Sequence, residues 1–509
     1  MAQAAMNPAP ATGAAVELHD IQGLVRFAYK HHTEAVFLLL RVRDAGAARA
    51  WLAEVAVTNA TTQDPTPSTA LQVGLTSEGL RALGVADDVI DAFSPEFVDG
   101  MAGDTSRSRR LGDQGPSDPS RWQWGGTNRV PHVAVLLYAL PGLLNALQQT
   151  VEAQFQAGFE ITHRLGTSDM GGLEPFGFVD GISQPELDWQ RQRLARDATQ
   201  TAYLSLSCLG EFLLGYPNEY GLYTTRPLLD PARDTLGILP RAEDAPESCD
   251  LGRNGTYLVM RQLSQDVYTF WQALDRYAAG AASTRERLAS AMVGRRLSGE
   301  PLVEAGSSPA APSAGGSKSA LNEFNYLSDP EGIRCPLGAH IRRSNPRNAD
   351  LPPGGAGVVS RLARALGFNS QAREQDLAAS TRFHRLLRRG REYGVALTPA
   401  QALTGQPIPG DRGLQFVCLG ANIQRQFEFV QSAWLMNAKF NGLRDEADPL
   451  LGNRLPTAAA MRTDSFSMPQ ADGPGQRLTG LPQFVTVLGG AYFFLPGIRA
   501  LRFLSGAHS

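Results

Sequence analysis

The alternation of strand-length and helix-length apolar patterns predicts an α+β protein built from two ferredoxin-like βαββαβ sandwich modules in tandem. Apolar runs of strand length recur at 35–42, 71–75, 133–138 and 159–164, with helical patterns after the first and third. The same order returns, more widely spaced, between 256 and 495. Switching of the apolar period between two and 3.6 in this sequence of elements is the signature of that sandwich.

In the first copy, Asp44 is placed to cap a helix running through Val55 after the strand Ala35–Val42. The strand Leu71–Leu75 precedes a short helix, Ser77–Leu83, which Gly84 stops. A strand at Val133–Tyr138, a helix over 143–156 and a strand from Phe159 to Arg164 complete the unit. The second copy reads as strand Thr256–Leu263, helix Gln265–Ala278, strand Gln415–Leu419, helix Ile423–Asn437 and closing strands over 484–495. These patterns divide the chain into a disordered tail over 1–15, a first module over 16–225 and a second over 226–509. The Ala, Gly, Ser and Pro composition of 303–319 predicts a flexible insertion. The Gly-, Ser- and Arg-rich run from 103 to 126 reads as a surface excursion without a chemical motif. Residues 484–496 are apolar but too short to span a bilayer, and Ile498, Leu501 and Leu504 mark a small amphipathic helix able to dock on a partner.

The 509 residues are 43% hydrophobic and 19% charged, with a net charge of −3. That near-neutral balance, with no long basic block, argues against a nucleic-acid partner. Cys208, Cys249, Cys335 and Cys418 lie far apart without metal-ligand spacing, and read as free thiols. The Ala- and Pro-rich start lacks a basic region, an apolar core and a twin arginine, so a cytoplasmic protein with no membrane association is expected.

Between Arg334 and Arg347 a single histidine, His340, follows Gly338 and Ala339 and precedes Arg342, Arg343 and Arg347. A neutral imidazole is a good iron ligand, the small residues leave room for something flat, and arginine forks suit carboxylates. A bound haem with two propionates would use all three features. A second stretch, Glu174 to Pro185, contains Gly177-Phe178-Val179-Asp180-Gly181. Together the two resemble the dye-decolourising peroxidases, whose G-x-x-D-G motif has this form. The resemblance extends from Asp20-Ile21-Gln22-Gly23 through the segment from Gly215 to Gly221 to Phe427-Glu428-Phe429-Val430-Gln431.

The resemblance implies one haem b per chain, held by the C-terminal module of a dimeric α+β barrel-like fold. It implies a haem peroxidase that uses hydrogen peroxide to oxidise bulky organic donors such as phenols and dye-like aromatics, through a ferryl intermediate, and it allows a homo-oligomer. Carried over by motif, His340 binds iron, Asp180 lies over the open haem face and Arg388 joins it there. Arg389 is adjacent, so either of two arginines can hold that place, and Gly390 stands where some relatives have asparagine. Gly177 and Gly181 let the backbone turn over the ring, while Phe178 and Ile182 form pocket walls. Arg342 is a candidate propionate partner. Glu428 either accepts the second ring N–H of His340 or pairs with Arg425 on its own helix.

Splitting peroxide heterolytically requires a group that moves a proton from the inner to the outer oxygen and a positive charge that stabilises the departing hydroxide. Asp180 suits the first role and Arg388 the second. His384 is the competing imidazole; if its segment is helical it shares a face with Arg388 and cannot lie below the ring while Arg388 lies above. Trp434, Trp271 and Tyr393 are radical relays by chemical type only. The alternative function is a haem-binding or iron-handling protein with little peroxidase turnover.

Overall fold

Strand β1 (Glu34–Val42) is buried along nearly its whole length because both of its faces are covered. Val36, Leu38 and Leu40 enter one core and Phe37 and Leu39 another, so an unbroken apolar run replaces the alternation of a half-exposed strand. The computed structural model describes residues 15–192, 206–303, 320–322, 324–326, 328–347, 380–404, 408–456 and 462–506. The expected tail, apart from its last residue, and residues 304–319 of the expected insertion lie outside the described residues.

The first module comprises β1, helix α1 (Ala45–Glu54), β2 (Thr69–Leu75), β3 (Val133–Ala139), helix α2 (Leu144–Phe155) and β4 (Phe159–Gly166). Asp44 caps α1 by accepting the amide hydrogen of Ala47, as its position predicted. The strand order β4-β1-β3-β2, antiparallel throughout, is ferredoxin-like. In the second module, β5 (Thr256–Gln265) leads into helix α3 (Val267–Tyr277) and α4 (Ala282–Val293). Then come α5 (His340–Ser344), the short strands β6 (Leu387–Arg388) and β7 (Arg391–Tyr393), β8 (Gly413–Gly420) and β9 (Val485–Leu495). Its order, β9-β5-β8-β6, repeats the first with β7 also paired to β8.

The two four-stranded orders merge into one sheet where β9 pairs with β2, Phe494 opposite Leu75. The apolar segment 484–495 is thus one long strand with a bulge between Val487 and Gly489, and it closes both modules. Gly489 is required there, since a Cβ would stand 2.5 Å from the Trp124 indole nitrogen. Helix α6, wound with wide turns over Gln424–Glu428 and Val430–Leu435, follows β8. The final helix α7 (Ile498–Gly506) buries Leu501 and Leu504 in the core of the first module. Arg502 donates to the carbonyls of Leu52 and Val55 at the end of α1, so the amphipathic face docks within the same chain.

Two expectations about local structure are corrected. The 103–126 run is not a surface excursion: Asp104 caps a helix over Thr105–Leu111, Gly112 ends it in the left-handed region, and Trp122 and Trp124 are fully buried. Its few large residues have no regular period, which hid the burial. The segment carrying His384 and Arg388 is not one helix, because a turn over Ser380–His384 gives way to strand β6. Among the described residues no helix is long and apolar enough to cross a membrane, and all four cysteines are free and buried.

Candidate active site

Alternate residues of the second module's sheet, Arg261, Leu263 and Gln265 on β5 and Leu414 and Phe416 on β8, form one wall of a cavity of about 290 Å³. The loop from Glu174 to Pro185, helix α5, helix α6, Leu450–Leu451, residues of the 111–117 and 381–388 segments and Val485 and Val487 of β9 form much of the rest. Asp180, His340 and Arg388, more than 200 positions apart at the extremes, all line this cavity, as do Phe178 and Ile182.

His340 is the first residue of α5, and its side chain keeps 27% of its surface open to the cavity. Its Nδ1 lies 3.0 Å from Oδ2 of Asp448, a fully buried carboxylate whose Oδ1 accepts the amide hydrogens of Leu450 and Leu451 at 2.9 Å each. Burial works to raise the Asp448 carboxyl, but His340, Arg343 and the backbone donor outweigh it and hold the group below its ordinary range. An ionised Asp448 accepts a hydrogen bond from Nδ1–H, the tautomer that leaves the Nε2 lone pair for a metal.

Asp448 takes the place expected for Glu428 beside His340, and the alternative pairing of Glu428 with Arg425 is not formed either. Glu428 instead pairs with Arg107 at 3.0 Å and accepts a hydrogen bond from the Tyr492 hydroxyl, and Arg425 pairs with Glu211. Arg342 is also placed elsewhere. It is 1% exposed, bonds Asp329 and the Cys335 carbonyl, and stacks over Tyr326, so its role is to brace the loop before His340. Arg343 is likewise committed to the carbonyls of Trp434 and Glu446. Of the three arginines near His340, only Arg347 reaches the cavity, joined there by Arg295 and Arg385.

On the Asp180 loop, Gly177 and Gly181 have φ of 98° and 72°, a left-handed backbone that a larger residue resists. Nη1 of Arg388 stands 3.1 Å from Oδ1 of Asp180, and each side chain keeps 35% of its surface open. The Gln184 Oε1 accepts the backbone amide hydrogen of Arg388, and the Ser183 carbonyl takes a second guanidinium hydrogen. Arg389 points the other way, to the carbonyls of Leu24 and Val25, because neighbouring residues of a strand face opposite sides. Arg388, and not Arg389, is therefore the arginine that pairs with Asp180. For Asp180 burial acts upward, yet Arg388, the Gly181 amide and His340 together hold it below the ordinary aspartate range. Glu174, on the same loop, is pushed up to about 7, chiefly by burial.

His384 also lines the cavity, but its ring stacks 3.7 Å from that of Phe429 and its Nδ1 contacts the Arg425 carbonyl. The residues that patterning overlooked are Asp448, Arg295, Arg385, and Asp113 with Ser117 from the 103–126 run. An imidazole with a free lone pair, apolar walls and guanidinium charge for carboxylates fit haem. Among the described residues, Arg295 hydrogen-bonds only to the Gly299 and Leu321 carbonyls, and burial, then the nearby Arg347, lowers it to about 10.

No family model matches the chain. It is 30% identical over 476 residues to the multifunctional dye peroxidase DyP2 of Amycolatopsis sp., spanning 90% of this chain and 86% of that one. The chain belongs to the dye-decolourising peroxidases. It is also 28% identical over 523 residues to the dye-decolorizing peroxidase AauDyP1 of Auricularia auricula-judae, spanning 97% and 88%. A dye-decolorizing peroxidase solved in complex with 2,6-dimethoxyphenol matches the fold with a TM-score of 0.70 at 23% identity, covering 96% of this chain and all of that one. An ancestral D-type dye decolorizing peroxidase matches with a TM-score of 0.71 at 24% identity, covering 96% and 99%. As a dye-decolourising peroxidase the protein is a haem enzyme that uses hydrogen peroxide to oxidise an organic donor.

Proposed function

We propose that this peroxidase works with His340 as the iron ligand, Asp180 as the proton-transfer group and Arg388 as the fixed positive charge, on phenols and dye-like aromatics of the 2,6-dimethoxyphenol kind. The ion pair of Asp180 and Arg388 on the cavity that His340, backed by the buried Asp448, also lines carries this reading. The chemistry that haem supplies when bound is reduction of hydrogen peroxide to two waters, balanced by one-electron oxidation of two donor molecules. Asp180, ionised beside Arg388, takes the proton from one peroxide oxygen at its carboxylate and delivers it to the other. Arg388 holds its charge where the leaving hydroxide develops, without having to reorganise. Asp448 keeps His340 in one tautomer and makes it a stronger donor. Arg347, Arg295 and Arg385 would hold the propionates.

Trp271 and Trp434 are buried, and Tyr393 is buried with its hydroxyl donating to Asp411. None presents a broad face to a donor in solution. The test is peroxide-dependent oxidation of 2,6-dimethoxyphenol by the haem-loaded protein. Sustained turnover with haem retained is expected; bleaching with iron release and no donor oxidation would favour the iron-handling alternative.

A further inference from the structure

Glu174 is a cavity-lining carboxylate to which the steps above give no part. Its Oε2 accepts the Phe176 amide hydrogen at 3.0 Å and a hydrogen of the Gln265 side-chain amide at 2.8 Å, and its Oε1 accepts the Phe178 amide hydrogen at 3.0 Å. The backbone of the same residue closes the turn twice. Its amide donates to the Phe178 carbonyl at 2.8 Å and its carbonyl accepts from Gly177 at 2.7 Å. Two residues after Phe178 comes Asp180, whose amide donates to Gly172 on the other limb of the turn. Beyond Glu174 the loop is held by its apolar side chains, by the Val179 amide, which donates to the Leu297 carbonyl at 3.2 Å, by the Ser183 and Gln184 contacts with Arg388, and by the indole of Trp271, which donates to the Phe176 carbonyl at 3.1 Å.

A loop rich in glycine needs such a clamp to present one carboxylate at one place. Left-handed glycines make the turn possible but do not select it, since glycine loses more freedom on ordering than any other residue. Gln265 is the last residue of β5, so the hydrogen bond from its side chain references the loop to the sheet that also carries the cavity wall. A carboxylate is the suitable group here because all three of its partners are donors.

We propose that Glu174 is the positioning residue of the Asp180 loop, its carboxylate tying the Phe176 and Phe178 amides to Gln265 on β5 and so fixing where Asp180 stands against Arg388. This rests on the reading of Asp180 as the proton-transfer group. Misplacement of a reacting group by about 1 Å costs on the order of 100-fold. Loss of the clamp therefore slows the reaction with peroxide and leaves donor oxidation itself alone.

The test compares haem-loaded wild type with Glu174→Ala, Glu174→Gln and Gln265→Leu. For Glu174→Ala, the second-order rate with peroxide is expected to fall about 10- to 100-fold, while KM for 2,6-dimethoxyphenol changes less than about two-fold. Glu174→Gln is expected to fall between, because its remaining oxygen can still accept from Phe178. The Gln265 Oε1, which has no hydrogen-bond partner among the described residues, can turn to meet the new amide. Amide hydrogen exchange of the 173–184 peptide, read by mass spectrometry, should accelerate in Glu174→Ala and less in Glu174→Gln. Gln265→Leu leaves the turn intact and serves if Glu174→Ala does not fold; a several-fold slower peroxide reaction is expected. Wild-type peroxide rates in folded Glu174→Ala and Gln265→Leu, with Asp180→Asn slowed, would overturn the positioning role alone. A wild-type rate in Asp180→Asn would instead overturn the reading on which it rests.

Discussion

Asp448 holds His340 from 108 positions further along the chain, Oδ2 to Nδ1 at 3.0 Å, while its other oxygen is committed to the Leu450 and Leu451 amides. The orientation of the imidazole thus depends on a carboxylate that is itself fixed by backbone. Substituting Asp448→Asn keeps an acceptor for those two amides but turns an N–H toward Nδ1. The ring then has to carry its proton on Nε2, where iron needs a lone pair. Haem affinity is expected to fall about 10- to 100-fold. Titration of the apoprotein with haem, followed at the Soret band, measures it; unchanged affinity would remove Asp448 from the site.

The two imidazoles on the cavity separate by substitution. His340→Ala is expected to lose tightly held haem or keep it in weak, non-native ligation. His384→Ala should retain it, at the cost of the stacking contact with Phe429. Haem content after gel filtration, with the absorption spectrum, decides between them, and equal loss from both would make the His340 assignment untenable.

Because the Asp180 carboxyl is lower in the folded chain than in the unfolded one, its pairing adds stability above the unfolded value. That contribution disappears as pH falls through the lowered folded value. The same lowering keeps Asp180 an anion, able to take a proton, in mildly acid solution. As far as Asp180 sets it, kcat/KM for peroxide should persist into acid and fall only below the ordinary aspartate range, and a shallower fall near pH 7 belongs to Glu174. Asp180→Asn should lose this acid limb and about 10²- to 10⁴-fold in rate, without losing haem. A pH profile of both proteins checks it; an unchanged rate in the variant would pass proton transfer to water.

The parts of this molecule that patterning reveals are those whose signal is local. The first module was legible because its strands and helices keep clean periods. Asp180, with its two glycines, and His340, among small residues, stand out in the sequence because each motif is contiguous, and both line the cavity. Asp448 was not, since nothing in its loop signals a partner so far away in sequence. Strand β6–β7 was hidden by its arginines, which read as a polar stretch although Arg388 serves the cavity and Arg389 and Arg391 reach carbonyls of the first module. Arg342 was misplaced because spacing from His340 does not say which way a side chain points in a helix of five residues. Glu428 was misplaced because its true partner, Arg107, lies in the 103–126 run whose burial has no period.

The most direct measurement of the central claim is stopped-flow absorbance of haem-loaded protein mixed with hydrogen peroxide, for wild type, Arg388→Leu and Arg389→Leu. Arg388→Leu should bind haem normally and react about 10²- to 10³-fold more slowly, since a fixed charge worth roughly 3–4 kcal/mol to the transition state is gone. Arg389→Leu should react at close to the wild-type rate. Its cost should appear in thermal stability, about 1–3 kcal/mol for each acceptor left without its donor at Leu24 and Val25. A slow Arg389→Leu beside a fast Arg388→Leu would contradict the pairing of Arg388 with Asp180 as the centre of the chemistry.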